Sequence, residues 1–165
     1  MPAWWPFKRK PDIASLTEAF IADLKQQVQE QRAAHISRQA LIKTLEIQTR
    51  LWEARSNEQE AQARLRAIRV IYQELQASLQ ADLQQGKNLE EAGDLEGAIA
   101  CYETAVSDQI AVRFPYTRLF ELYTQQGNYK QAQRVCQTAV SNPFLPQSAR
   151  QHFQAKLNQL EAIHE

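Results

Sequence analysis

The stretch from Gly86 to Pro143 contains one pattern written twice in the same register, 34 residues apart. Gly93-Asp94-Leu95 recurs as Gly127-Asn128-Tyr129, Ala98 as Ala132, and Thr104-Ala105-Val106-Ser107 as Thr138-Ala139-Val140-Ser141. A period near 34 with small residues at fixed offsets is what a stacked helix–turn–helix repeat requires, because each unit is one helix pair that buries its apolar face on its neighbour. The individual residues fit that demand. Gly93 and Gly127 supply the left-handed backbone that ends a helix, and Asp94 and Asn128 are good caps for the next. Ala98, Ala132, Ala105 and Ala139 keep the second helix thin, so that two backbones approach closely. Leu89 in one unit, and Tyr116, Leu119 and Tyr123 in the other, give the first helix its bulk. Tyr102 and Cys136 fill the gap toward the neighbouring unit.

The rest of the chain must then be built around this pair. In 165 residues, 44% apolar, there are only four glycines and six prolines, and no long run alternates with period two; these facts predict an all-α protein. The start, Met1-Pro2-Ala3-Trp4-Trp5-Pro6-Phe7-Lys8-Arg9-Lys10-Pro11, carries three prolines and is not helical. It reads as a flexible aromatic and basic tail over residues 1–12. Its bland reading is aromatics folding back on the body. Its functional reading is docking through Trp4, Trp5, Phe7, Lys8, Arg9 and Lys10 to a partner or an anionic membrane surface, with a second signal needed for firm attachment.

Residues 13–78 read as long N-terminal helices. Ser15-Leu16-Thr17-Glu18 has the form of a capping box, which predicts a helix start there. Leu16, Phe20, Leu24 and Val28 follow at helical spacing, and a second stripe runs through Ile36, Leu41, Leu45 and Trp52. The pattern leaves open whether one helix continues to residue 54 or bends near His35 to Ser37. Ser56 or Asn57 is the expected cap of the next helix, near a break at 55–57. Leu65, Ile68, Tyr72, Leu75 and Leu79 form a narrow coiled-coil-like seam, with Arg64, Arg66, Arg69 and Glu74 as its solvated flanks. The expected result is a hairpin of helices 15–54 and 57–92, antiparallel because the link is short. After Pro143 and Pro146, residues 146–165 read as a capping helix with Phe153, Leu157 and Leu160 inward and Arg150, Gln151, Gln154 and Lys156 outward.

Over residues 79–145 the two units resemble the tetratricopeptide repeat family. That family's pattern asks for a bulky residue, Leu-Gly, an aromatic, then Ala, an aromatic, Ala and Pro. The first copy supplies Gly86, Leu89, Ala98, Tyr102 and Ala105, and the second Tyr116, Leu119, Tyr123, Ala132, Ala139 and Pro143. Phe120 stands where the second copy should have glycine, Cys136 where it should have an aromatic, and Ile110 near the first copy's Pro. The resemblance implies a short right-handed α-solenoid with a concave side. There, partners' peptides lie against the first helix of each repeat. Matched by position, the partner-binding residues are Lys87, Glu90 and Glu91 in the first copy and Thr117, Glu121, Thr124 and Gln125 in the second. One lysine and three glutamates argue against capture of a terminal carboxylate and favour a basic peptide or another helix.

Other classes find little support. With 19 basic and 19 acidic residues, the chain lacks the excess that a nucleic-acid binder uses to displace counterions. Cys101 and Cys136 form no disulfide framework and read as buried thiols. His35, His152 and His164 have no ligand partner at metal spacing, no phosphate loop or nucleophile elbow is present, and Glu90-Glu91 point apart on a helix. The expectation is a non-catalytic, cofactor-free interaction module that binds another protein on its repeat surface. The alternative is a scaffold that self-associates as a homodimer through its N-terminal helices and is tethered to a membrane or larger assembly by its tail. With no secretory leader and no apolar run near the ~20 residues of a membrane span, the expected location is cytoplasmic, or peripheral to a membrane.

Overall fold

A computed structural model of the protein describes residues 11–164, with side chains through Ala162. The docking residues Trp4, Trp5, Phe7, Lys8, Arg9 and Lys10 lie outside the described residues. Those described form seven helices and no strand: α1 (Ile13–Ala33), α2 (Arg38–Glu53), α3 (Gln59–Glu91), α4 (Leu95–Ser107), α5 (Phe114–Gln125), α6 (Tyr129–Ser141) and α7 (Gln147–His164).

The N-terminal region differs from the expected hairpin at two helix starts, and the bend left open near His35 to Ser37 is a break. Helix α1 begins at Ile13 because Asp12, not the Ser15 box, is its cap; the carboxylate accepts from the Ser15 N–H at 2.7 Å. A carboxylate at this position also meets the positive end of the helix dipole. The chain then breaks between α1 and α2. His35 takes φ 63°, the Ile36 N–H reaches Gln31 O and the His35 N–H reaches Arg32 O, which is a Schellman closure built without glycine. Ser37 caps α2 by accepting from the Ala40 N–H. Finally, α3 starts at Gln59 with Glu58 as N-cap and no side-chain cap, in place of Ser56 or Asn57. The Glu58 carboxylate is engaged by Arg55 at 2.9 and 3.1 Å.

Two helices therefore pack on α3 where one was expected. Gln59 donates to Pro11 O, Arg64 lies over Phe20, and Lys25 pairs with Glu74 at 3.0 Å, so α1 runs parallel to α3. Arg64 over Trp52 at one end and Arg38 bonded to Ser78 and Asp82 at the other make α2 antiparallel to it. Arg64 is not a solvated flank. It lies over the rings of both Phe20 and Trp52, 4.1 and 4.7 Å from their centroids, and ties three helices at one point. The seam is used inside the chain: Ile68, Leu75 and Leu79 are buried with Leu41, Ile42 and Leu45 of α2, whereas Leu65 and Tyr72 are half-buried.

Helix α3 continues without a break across residue 78. Its second half pairs with α4, and from there each helix packs on the next through α7. The starts of α4 and α6 lie 34 residues apart, as do the ends of α3 and α5. Gly93 and Gly127 have φ 84° and 69°. Asp94 and Asn128 accept from the N–H groups of Gly97 and Gln131. Ala98, Ala105, Ala132, Ala139, Tyr102 and Cys136 are all fully buried, while Cys101, expected to be buried, is only partly so.

The two departures from the repeat pattern have a common logic. A Cβ on Gly86 would lie 2.6 Å from Cε1 of Tyr102, so the first copy needs glycine opposite its large ring. At the equivalent positions the second copy has Phe120 and Cys136: the bulk has moved from one helix to the other. Helix α7 closes the stack with Ala149, Phe153, Leu157 and Leu160 inward and Gln151 and Gln154 exposed. Arg150 and Lys156, expected outward, are partly covered.

Candidate partner-binding face

The second half of α3 and the length of α5 carry the seven matched residues. Lys87 is partly buried, with Nζ 4.6 Å from the centroid of Phe114. Phe114 in turn presents its ring edge-on to Tyr102 at 5.7 Å. Pro115 near the start of α5 has no N–H to satisfy, which suits the first turn and lets Phe114 begin the helix.

Glu90 and Glu121 do not act as free anions. Arg118, one turn before Glu121 on α5, bonds both carboxylates, and Glu90 also accepts from the Tyr102 hydroxyl at 2.9 Å. The Arg118 guanidinium holds the Glu90 carboxyl below the usual range, opposed by burial and aided to a lesser extent by the Tyr102 phenol. Burial first, and Glu90 second, push the Tyr102 phenol up. The same design recurs one helix further along. Tyr123 of α5 donates to Glu103 of α4 at 2.7 Å, and Arg134 of α6 pairs with the same carboxylate. Burial, then Glu103, push the Tyr123 phenol up to about 12. Each Tyr–Glu–Arg set joins three consecutive helices.

The remaining matched residues divide by exposure. Thr117 and Thr124 donate their hydroxyls to Arg113 O and Phe120 O of their own helix, which leaves the hydroxyls committed to backbone. Glu91 and Gln125, at equivalent places in the two copies, are exposed. Farther along, Lys156 of α7 reaches over the Phe120 ring at 4.3 Å. His152, beside it, is held below the usual imidazole range by burial, with Arg113 and Lys156 adding to the effect.

Arg118 changes the electrostatic reading of this face. Sequence matching counts one lysine against three glutamates, but Arg118, which bonds two of the three, and Lys156 over Phe120 add two cations that balance them. The face is close to neutral, framed by Phe114 and Phe120 each under a lysine, and the charge argument for a basic peptide does not hold. The spacing of Arg118 to Glu121 was the available signal for part of this arrangement; nothing in the sequence marked the link to Glu90.

An open depression of about 550 Å³ lies elsewhere, between α2 and α3, lined by residues including Thr49, Leu65, Ile68 and Tyr72. Among the described residues, no group of three or more His, Cys, Asp and Glu is arranged to hold a metal ion, and no helix is long and apolar enough to cross a membrane. Compared with protein-family models, curated proteins and solved structures, the chain matches none.

Proposed function

We propose that this protein is a non-catalytic interaction module of tetratricopeptide-repeat type, which binds a segment of another protein along the face formed by α3, α5 and α7. The observation that carries this reading is the equivalence of the two units at an offset of 34: matched left-handed glycines, matched caps, and matched buried alanines. In this reading the helices wind as a short right-handed solenoid, with α1 and α2 covering one end and α7 the other. The partner class is a peptide or helix that is largely uncharged and carries an aromatic or aliphatic side chain for the Phe114 and Phe120 surfaces. A self-associating scaffold has less support, because Ile68, Leu75 and Leu79, the centre of the seam it would use, are buried within one chain.

Glu91 and Gln125 test the reading because both are exposed and their replacement leaves the packing intact. Peptides selected on the full chain from a displayed library should bind the double variant Glu91→Arg, Gln125→Arg at least ~10-fold more weakly, equivalent to about 1.4 kcal/mol. Fluorescence anisotropy measures this, with thermal unfolding as the control. Unchanged affinity in a folded variant would move the contact away from this face, and a library that yields no binder would count against the proposal altogether.

A further inference from the structure

Helix α1 shows what the α2–α3 pair accepts. It lies in the groove between them, with Ile21, Leu24 and Val28 against the core and Arg64 over both Phe20 and Trp52. None of its residues is fully buried. It is an amphipathic helix laid on the surface of the pair, held by one apolar stripe and by charged groups at its edges, such as Lys25 on Glu74.

The same pair has a second groove on its other side. Arg64 and Glu74 of α3 meet α1. Arg69 stands five residues from each, roughly 140° around the helix from both, and so faces directly away from α1. On α2, Gln48 lines the α1 side, whereas Glu46, Arg50 and Glu53 line the opposite one. Between these edges is the open depression of about 550 Å³, with Thr49, Leu65, Ile68 and Tyr72 as its floor. The hydroxyls of the floor are already used: Thr49 donates to Leu45 O at 2.9 Å, and Tyr72 accepts from Gln76 Nε2 at 2.9 Å. What remains is apolar surface, and Leu65 and Tyr72 are only half-buried.

The rims define the occupant. On the α3 rim Arg69 lines the groove and Arg66 stands one turn before it, both exposed. The neighbouring carboxylates of α3 are committed elsewhere, Glu60 to Arg64 and Glu74 to Lys25. On the α2 rim Glu46 is held by Lys43 at 2.8 Å, and Arg50 and Glu53 offset each other in charge. Among the described residues, Arg50, Glu53, Arg66 and Arg69 make no ion pair. One rim is therefore cationic and the other mixed. The groove covers residues 46–53 of α2 and 65–73 of α3, about 12 Å of helix. That is the length over which an amphipathic helix presents anchors at i, i+3 or i+4, and i+7.

We propose that this groove is a second protein-interaction surface, and that its occupant is a short amphipathic helix of a partner protein. The helix is apolar toward Leu65 and Tyr72 and acidic along the flank that meets Arg66 and Arg69. The two guanidiniums donate to Asp or Glu side chains spaced three or four apart on that flank. The surface uses a different part of α3 from residues 87–91 and does not rest on the reading of the other face.

A titration of the full isotope-labelled chain, followed by amide chemical shifts, tests this. The probe is a stapled helical peptide with leucine at i, i+3 and i+7 and glutamate along one flank; its control carries lysine in place of glutamate. The glutamate peptide should shift Thr49, Leu65, Arg69 and Tyr72 and bind at least ~10-fold more tightly than the control. Arg66→Glu with Arg69→Glu should reverse that order, and circular dichroism checks that this variant is folded. Equal affinity of the two peptides for the parent chain, or an order that the double reversal leaves unchanged, would overturn the acidic flank. Shifts centred on Phe114 and Phe120, or none at all, would overturn the site. The same shifts appearing with protein concentration alone would make a second copy the occupant and would likewise overturn the proposal.

Discussion

Replacing Asp108 by alanine is expected to cost about 3–5 kcal/mol of stability, the largest effect of any single substitution considered. Asp108 caps the C-terminus of α4, where the helix dipole disfavours a carboxylate. It stands there because it serves a different helix. Its side chain is 5% exposed and accepts from the Arg38 N–H at 2.9 Å and from Arg38 Nε at 2.8 Å, so it holds the first turn of α2. Arg38 is itself 12% exposed and bonds Ser78 and Asp82 of α3. Arg32 from the end of α1 also reaches Asp108, but it is 40% exposed, and solvent screening limits that pair to under about 1 kcal/mol. The loss comes from leaving two buried donors of Arg38, its Nε–H and its backbone N–H, without an acceptor, while Asp82 becomes the guanidinium's remaining carboxylate. Urea denaturation measures the total. Hydrogen exchange should show α1 and α2 losing protection ahead of α5 to α7, since Asp108 and Gln109, whose side-chain carbonyl accepts from the Ser37 hydroxyl at 2.7 Å, hold the α1–α2 turn on the repeats. A cost below about 1 kcal/mol would mean that the turn is held by packing alone.

The second large effect is expected at Asn142, where alanine should cost about 3 kcal/mol. Asn142 is 2% exposed. Its amide donates to Gln109 O at 3.0 Å, Ile110 O at 3.2 Å and the Tyr116 hydroxyl at 2.7 Å, while its carbonyl accepts the Phe144 N–H at 2.9 Å. One side chain thus satisfies the end of the first repeat, the start of the second and the turn that follows it. Alanine leaves Gln109 O and the Phe144 N–H without these partners, and leaves the Tyr116 hydroxyl and Ile110 O with only their long 3.3 Å bond to each other, so each carries a desolvation penalty. Tyr116→Phe removes only one of the Asn142 contacts, with the long bond from the hydroxyl to Ile110 O, and should cost about 1 kcal/mol. The comparison, made by denaturant unfolding, fails if both variants lose the same amount.

The parts of the fold that were legible in the sequence are those where composition and conformation coincide. Gly93-Asp94 and Gly127-Asn128 mark helix ends because glycine takes the left-handed backbone cheaply and the next residue caps. The same closure also ends α1 at His35 and α4 at Gln109, with φ 63° and 55°. Neither residue type announces it, so the sequence leaves the break between α1 and α2 open. Asp12 competed with the Ser15 box for the start of α1 and prevailed as the stronger acceptor. The Arg38–Asp108 pair spans 70 residues of sequence, and no local pattern encodes such a contact. On the candidate face, positional matching found the exposed Glu91 and Gln125 but counted Glu90 and Glu121 as free charges, because the cation between them lay outside the matched set. In the sequence Phe120 and Cys136 are two separate departures from the pattern; with Tyr102 filling the space over Gly86 they are one exchange of bulk between helices.

That α1 and α2 close on α3 within one chain, leaving the repeat face free, is tested most directly by light scattering across a range of protein concentrations. The predicted result is a constant mass of 19.0 kDa, since the apolar centre of the seam is already covered by Leu41, Ile42 and Leu45. A stable dimer would contradict it: Ile68, Leu75 and Leu79 would then be paired between chains, and scaffolding would replace partner binding as the leading role.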